Sequence, residues 1–303
     1  MSVIGVDIGA TTTKLGLVEV SEGKITQKSS FSTQVFLDAT AYLDALEAEI
    51  RELAGHAVTG VGVGAPNANF RTGAISRAAN LPWKEDFFIR KELEERLKYP
   101  VFLDNDANVA ALGEWKFGGA KGLTDFMVIT LGTGLGSGIV CEGRLLHGHS
   151  GLAGELGHLT FGQEKRISGY GREDAAETYL SAGGLVRTYF NLHSKYFPQT
   201  PLLSTASEIA EAAKKGDKLA QGSFQLTGER LGRFLAELVV FSSPEVIFLA
   251  GGLTQAGELL LKPTRESFFE SILPPFAGTV RLELSQLETG EAALLGAAGL
   301  VLG

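Results

Sequence analysis

The chain contains one cysteine, Cys141, in 303 residues. That excludes an internal disulfide framework and any metal cage built on several thiolates, and it suits a reducing cytoplasm. No run of 18 apolar residues exists, so no segment is expected to span a membrane. The first apolar run is broken by Asp7 and has no basic stretch ahead of it, so no signal peptide is expected. Positive charge is not in excess, and a net charge of −8 disfavours a nucleic-acid surface. Neither a Walker A loop nor an HExxH pattern is present. Low-complexity tracts are absent, and the 39 glycines follow no G-x-y period, so they mark turns and close backbone approaches.

What is present starts with an apolar run, Val3 to Val6, that meets Asp7-Ile8-Gly9-Ala10-Thr11-Thr12-Thr13-Lys14 and resumes as Leu15 to Val20. The pattern predicts a strand, a tight turn carrying hydroxyls and a cation, and a second strand. Backbone N–H groups and threonine hydroxyls at such a turn suit phosphate oxygens, and the Asp7 carboxylate beside them suits a hydrated Mg²⁺. An ordinary hairpin is the other reading.

Lys24 to Thr33 alternates as a third antiparallel strand, and Ala39 to Leu53 carries Leu43, Leu46, Ile50 and Leu53 at helical spacing. Val58 to Val63 reads as a buried strand entering the loop Gly64-Ala65-Pro66-Asn67, and Ala74-Ile75 as a short strand. After the loop Asn80-Leu81-Pro82-Trp83, helices are predicted over Phe87 to Leu97 and Asp106 to Phe117, with the strand Pro100 to Leu103 between them. This order fits an α/β domain with a mixed sheet, residues 1–117. Gly118 to Thr124 reads as a hinge into a second α/β domain, residues 118–289. There the opening is echoed by the strand Asp125 to Leu131, the run Gly132-Thr133-Gly134-Leu135-Gly136-Ser137-Gly138 and the strand Ile139 to Glu142. Helices follow over Ala175 to Tyr189, Ala206 to Lys214 and Lys218 to Phe241, with strands at Glu245 to Leu249 and Val280 to Leu284. The small-residue helix Glu291 to Leu302 suits very close packing, and residues 290–303 are assigned back to the first domain. Two such halves facing each other would form a cleft.

Gly132 to Gly138 is not the dinucleotide fingerprint, because Ser137 stands where a third glycine is needed. It offers close backbone approach and the Thr133 hydroxyl, or simply a glycine-rich hairpin. Asp104-Asn105-Asp106-Ala107-Asn108 joins a strand to a helix. Capping accounts for one of its four polar residues, and a carboxylate there facing a cleft would accept a hydroxyl proton. Gly154-Glu155-Leu156-Gly157-His158 sets a carboxylate and an imidazole three residues apart, suited to the hydroxyls of a polar ligand or to solvated surface. Ala250-Gly251-Gly252-Leu253 leaves room for a flat base or ribose, or starts a helix. His147, His149 and His193 read as surface or structural.

Taken in order, these segments resemble the sugar kinases of the ROK family, within the actin-like ATPase superfamily. The resemblance is carried by Asp7 to Lys14, Gly64 to Asn67, Asn80 to Trp83, Asp104 to Asn108, Gly132 to Gly138, Gly148 to His158 and Ala250 to Leu253. It implies a two-domain α/β fold of the actin-like, ribonuclease H-like kind with an interdomain cleft, and ATP with Mg²⁺ as cofactors. Glucose to glucose 6-phosphate is the leading reaction it implies. Kinases for N-acetylmannosamine, N-acetylglucosamine, fructose or allose, or a non-catalytic sugar sensor, are the alternatives. By the same resemblance Asp7 would organise Mg²⁺ through water, and Asp106 would take the proton from the attacking hydroxyl. Gly9, Thr11, Thr12, Thr13 and Lys14, with Gly132, Thr133 and Gly134, would hold the ATP phosphates, and Gly251 and Gly252 would border the adenosine. Asn80, Asn105, Glu155, His158 and Glu177 would bind the sugar. These roles are what phosphoryl transfer needs: positioning, charge neutralisation and one oriented base.

The resemblance has two departures. Relatives carry three zinc-binding cysteines after the histidine; Ser168, Tyr170 and Ala175 stand there, so no structural zinc is expected. Asn67 replaces a common glycine and is the residue most tolerant of positive φ after glycine. Repressors of the family place a helix-turn-helix ahead of this fold; with the phosphate turn at residue 7, none is expected. The resemblance further implies a homodimer or homotetramer in the cytoplasm, without nucleic-acid or membrane partners, whose domains close on sugar about Gly118 to Gly122.

Overall fold

β1 (Ser2–Ile8) is apolar on both faces, with Val3, Ile4, Val6 and Ile8 all buried, as a strand covered on both sides must be. In the structure, a computed structural model, it is the middle strand of a five-stranded sheet. All residues are described except 56–57, 77–80, 82, 84, 197–201 and 289. β2 (Thr12–Glu19) and β3 (Lys24–Ser32) fold back antiparallel from β1. α1 (Ala39–Ala54) starts at Asp38, whose carboxylate accepts the N–H groups of Thr40 and Ala41, and it buries Leu43, Leu46, Ile50 and Leu53. β4 (Val58–Ala65) returns parallel to β1. Two short strands, β5 (Ala68–Asn69) and β6 (Ala74–Ile75), and α2 (Ile89–Leu97) then lead to β7 (Val101–Asn105) and α3 (Asp106–Phe117). The sheet order is β3-β2-β1-β4-β7. α2 starts two residues later than its pattern suggests, because Phe87 pairs with Ile75 in a β-bridge.

The C-terminal helix, Ala292–Leu300, lies against β1, β4 and α3. Its contacts explain its composition. A Cβ at Gly62 would sit 1.8 Å from the carbonyl oxygen of Ala297, and one at Gly5 would sit 2.2 Å from that of Leu294. Only glycine in the strands lets the helix approach this closely.

The second sheet repeats the plan of the first. β8 (Phe126–Leu131) and β9 (Leu135–Cys141) form an antiparallel hairpin, with the two-residue β10 (Arg144–Leu145) beyond β9. α4 (Glu177–Leu180), α5 (Ala182–Tyr196), α6 (Ala206–Lys214) and α7 (Lys218–Ser242) precede β11 (Val246–Ala250), α8 (Glu258–Ser271) and β12 (Arg281–Leu284). β11 is parallel to both β8 and β12, giving the order β10-β9-β8-β11-β12.

Three features differ from the sequence pattern. The glycine run is strand from Leu135 onward, so the turn itself is only Gly132 to Gly134. The helix expected over Ala175 to Tyr189 is broken at Ser181, which is extended at ψ 176 and whose hydroxyl caps α5 by accepting the Gly184 N–H at 3.1 Å. α8 falls where the pattern suggests no element. Its Pro263 packs on α7 at Gly228, where a Cβ would lie 2.6 Å from the proline ring.

The chain divides into two compact units: residues 1–123, 145–153 and 285–303, and residues 124–144 and 154–284. The first therefore extends past Phe117 and includes 145–153, which the sequence placed in the second. Glu114 is the physical reason for the extension. Buried at 1% exposure, its carboxylate accepts the N–H of Gly119 at 2.9 Å and that of Gln286 at 3.2 Å, together with the Ser285 hydroxyl. Among the described residues no helix is long and apolar enough to cross a membrane.

Candidate active site

In the first unit the β1–β2 turn is closed by the Gly9 N–H donating to the Thr12 carbonyl at 3.1 Å. Asp7 and Lys14 are cross-strand partners on either side of it. Thr11 is exposed and Thr12 half-buried. Thr13 corrects the expectation of converging hydroxyls: it is fully buried, and its hydroxyl bonds to Thr33 at 2.9 Å and to the Tyr42 phenol at 2.8 Å. Strand alternation turns that side chain into the core, so it offers a ligand only its backbone. The Asp7 carboxyl is raised to about 6, first by burial, with repulsion from Asp106 adding to the rise and Lys14 opposing it. Two carboxylates that repel each other beside one lysine are a donor set that a hydrated divalent cation relieves, so these residues fit Mg²⁺ held through water. Asn67 takes φ 53 in the loop after β4.

The β7–α3 junction separates the roles of its polar residues. Asn105 is the cap, its side-chain oxygen accepting the Asn108 N–H at 2.7 Å, which leaves its amide N–H groups for a ligand. Asp106 is the first helical residue, and its carboxylate accepts the Ala107 N–H at 2.9 Å. Asp106 is exposed as a residue, yet protein around its carboxyl displaces enough water to push its pKa up against those backbone hydrogen bonds. Asp104 is buried at 1% exposure and faces His147 Nε2 at 2.6 Å. Asn80 lies outside the described residues.

In the second unit the Gly132–Gly134 turn is closed by the Gly132 N–H donating to the Gly134 carbonyl at 3.1 Å, and the Gly132 carbonyl accepts the Ala182 N–H at 2.9 Å. Thr133 is exposed at its tip. Glu155, His158 and Glu177 come together there. His158 Nδ1 lies 3.7 Å from Glu177 and Nε2 lies 3.9 Å from Glu155, so one imidazole is flanked by two carboxylates. A Cβ at Gly134 would sit 2.9 Å from the Glu177 carboxylate, which brings the glycine turn against the same cluster. The Ser137 hydroxyl holds the turn, donating to the Gly154 carbonyl and accepting the Leu156 N–H at 3.3 Å. Gly251, at φ 96 beside β8, and Gly252 end β11, and the Thr254 hydroxyl caps the Gly251 carbonyl at 2.7 Å.

The loop from Leu159 to Ala176 carries the three positions that lack cysteine. It is closed by side chains. The Ser168 hydroxyl accepts the Arg172 N–H at 3.2 Å, Tyr170 packs edge-on to His158 at 5.2 Å, and Asp174 accepts the Tyr179 phenol. Arg166, 3% exposed, spans the loop and the helices beneath it. Among the described residues no group of three or more His, Cys, Asp or Glu is placed to hold a metal. Sequence reasoning missed Arg166 and the Ser137 hydroxyl, whose partners no spacing rule links to them, and it read His147 as surface or structural without its partner Asp104.

The profile of the ROK family matches residues 3–303. The glucokinase of Halalkalibacterium halodurans is 35% identical over 98% of this chain and 94% of its own, and that of Thermotoga maritima 33% over 99% and 97%. The ROK family glucokinase of Streptomyces griseus, crystallised with glucose and AMPPNP, superposes with a TM-score of 0.84 at 32% identity, covering 99% of each chain. On these matches the chain belongs to the ROK family, with the two-domain actin-like α/β fold of its members, and is an ATP-dependent sugar kinase.

Proposed function

We propose that the chain transfers the γ-phosphoryl group of ATP to a hexose hydroxyl, converting glucose to glucose 6-phosphate, with Asp106 as general base. The observation that carries the base assignment is the state of Asp106. Asp106 is exposed as a residue, its carboxylate accepts the Ala107 N–H, and desolvation by the surrounding protein raises its proton affinity above that of an ordinary aspartate. The Asp106 carboxylate takes the proton of the attacking hydroxyl as its oxygen bonds to the γ-phosphorus. The bond from that phosphorus to the β,γ-bridging oxygen breaks, and ADP leaves with that electron pair. The proton passes afterwards to solvent.

Glu155 and Glu177 accept hydrogen bonds from hydroxyls of the sugar, and the imidazole between them completes the set, with Asn105 and Asn80 contributing amides. The backbone of Gly9 to Thr13, the Lys14 ammonium and the Gly132–Gly134 turn bind phosphates, and Gly251 and Gly252 border the adenosine. Mg²⁺, organised by Asp7 through water, supplies charge neutralisation on the phosphates when bound. Glucose as substrate is supported by the glucokinase relatives and by the glucose complex of the Streptomyces griseus protein.

An ADP-release assay over glucose, fructose, allose and the two N-acetylated amino sugars tests the substrate. Asp106→Asn is expected to lower kcat on the order of 10²–10⁴-fold while sugar binding by calorimetry persists. A near-wild-type rate removes Asp106 as base, and a kcat/KM higher for an amino sugar than for glucose removes glucose as the substrate.

A further inference from the structure

Asp104 is unexplained by capping, since Asn105 is the cap, and unexplained by the proton transfer, since Asp106 is the proposed base. Its two oxygens are nonetheless fully used. One accepts the Asn105 N–H at 2.8 Å and the Asn108 side-chain amide at 2.9 Å, and the other faces His147 Nε2 at 2.6 Å. A carboxylate at 1% exposure is unfavourable to bury unless it is met by donors of this kind. We propose that Asp104 and His147 form a positioning pair for Asp106, a reading that rests on Asp106 being the base.

The imidazole is held in two directions. Its plane lies on the Phe70 ring, with centroids 3.7 Å apart, and its edge meets Asp104. With Nε2 bonded to a carboxylate, the ring carries its proton on that nitrogen. The segment bearing His147 is seated on the first unit by more than this one contact. The Asn69 amide donates to the Ser150 carbonyl at 2.8 Å and Arg71 donates to the Gly148 carbonyl at 3.0 Å. Gly151, at φ 80, leaves no room above Asn69 for a side chain. Asp104 thus ties together the end of β7, the first turn of α3 and residues 145–153, and Asp106 is two residues away on the turn between them. A displacement of the base by about 1 Å is enough to lower turnover about 10²-fold.

Three variants separate this role from packing. His147→Phe keeps the stack on Phe70 and removes the donor; His147→Asn keeps an amide too short to reach; His147→Gln places its amide nitrogen near the position of Nε2. The expected result is a loss of kcat on the order of 10–100-fold for Phe and Asn, with KM for ATP within about 2-fold of wild type and recovery in Gln to within about 5-fold. Equal kcat in the Asn and Gln variants, or wild-type kcat in His147→Phe, overturns the pair. If the Phe variant does not fold, the contrast between Asn and Gln decides alone. The double variant His147→Phe/Asp106→Asn separates the pair from the reading beneath it. If Asp106→Asn alone is fully active, the base assignment fails. If Asp106→Asn is impaired but His147→Phe adds its full loss on top, the base stands and the pair fails.

Discussion

Arg166 offers the most exacting test of how the loop above α4 is held. The guanidinium makes a fork with Glu164 at 3.0 and 2.7 Å and donates to the Thr178 carbonyl at 2.8 Å, the Gly184 carbonyl at 3.2 Å and the Thr188 hydroxyl at 3.1 Å. It also stacks 4.2 Å above the Tyr179 ring. Arg166→Met keeps an unbranched apolar stem but removes every donor and the guanidinium over Tyr179. Glu164 is 38% exposed and rehydrates, so its loss is small, about 0–1 kcal/mol. The Thr178 carbonyl and the Thr188 hydroxyl are left short of partners in a buried setting, at about 1–3 kcal/mol each before relaxation. The sum is about 2–7 kcal/mol before relaxation; taking about 3 kcal/mol, near its lower end, Tm falls by about 6–12 °C for a unit of this size. Because Thr178 directly follows Glu177, KM for the hexose should rise while KM for ATP holds. Thermal scans with and without hexose, alongside steady-state kinetics, read both effects. A Tm within about 2 °C of wild type, or an unchanged hexose KM, would refute the idea that this arginine anchors α4.

The remaining predictions are shorter. Asp7 rises from 3.8 to about 6 on folding, so the folded state binds its proton more tightly than the unfolded state does, and that advantage is lost as pH climbs through about 6. Asp7→Asn should therefore stabilise the ligand-free protein by about 2–3 kcal/mol near pH 8, with little gain near pH 4, while abolishing turnover. Denaturant titrations at both pH values check it, and a destabilised variant at pH 8 sinks it. Gly62→Ala forces a methyl onto the Ala297 carbonyl at 1.8 Å and should cost at least about 2–3 kcal/mol, read as a fall in the urea midpoint. With Ser168, Tyr170 and Ala175 in the loop, elemental analysis of the pure protein should find no stoichiometric zinc, and EDTA should leave hexose binding unchanged. One tightly held zinc per chain would contradict this.

The parts of the fold that were legible are those written in local periodicity. α1 follows from Leu43, Leu46, Ile50 and Leu53, and the boundaries of α3 follow from a polar cluster that contains its own cap, Asn105. The cluster of Glu155, His158 and Glu177 was partly legible, two members through a spacing of three and the third through the order of family segments. What stayed hidden depends on partners far along the chain. His147 is 43 residues from Asp104, and a lone histidine carries no signal of such a partner. Thr13 was misread because three consecutive threonines look alike in sequence, whereas strand pleat sends one of them inward to Tyr42. α8 was missed with Pro263 inside it, a residue that argues against a helix until the contact at Gly228 is seen.

The order of segments in the first unit bears on how the chain is made. Residues 285–303 are made after residues 124–284, yet they cover β1 and β4, which are made much earlier. Until then the glycine-notched backs of those strands face water, or a chaperone, while residues 154–284 are already available to fold. Completion of the half that holds Asp7 and Asp106 thereby waits for residues 285–303, so a nascent chain cut short before residue 285 should leave that half unfinished however well the rest has formed.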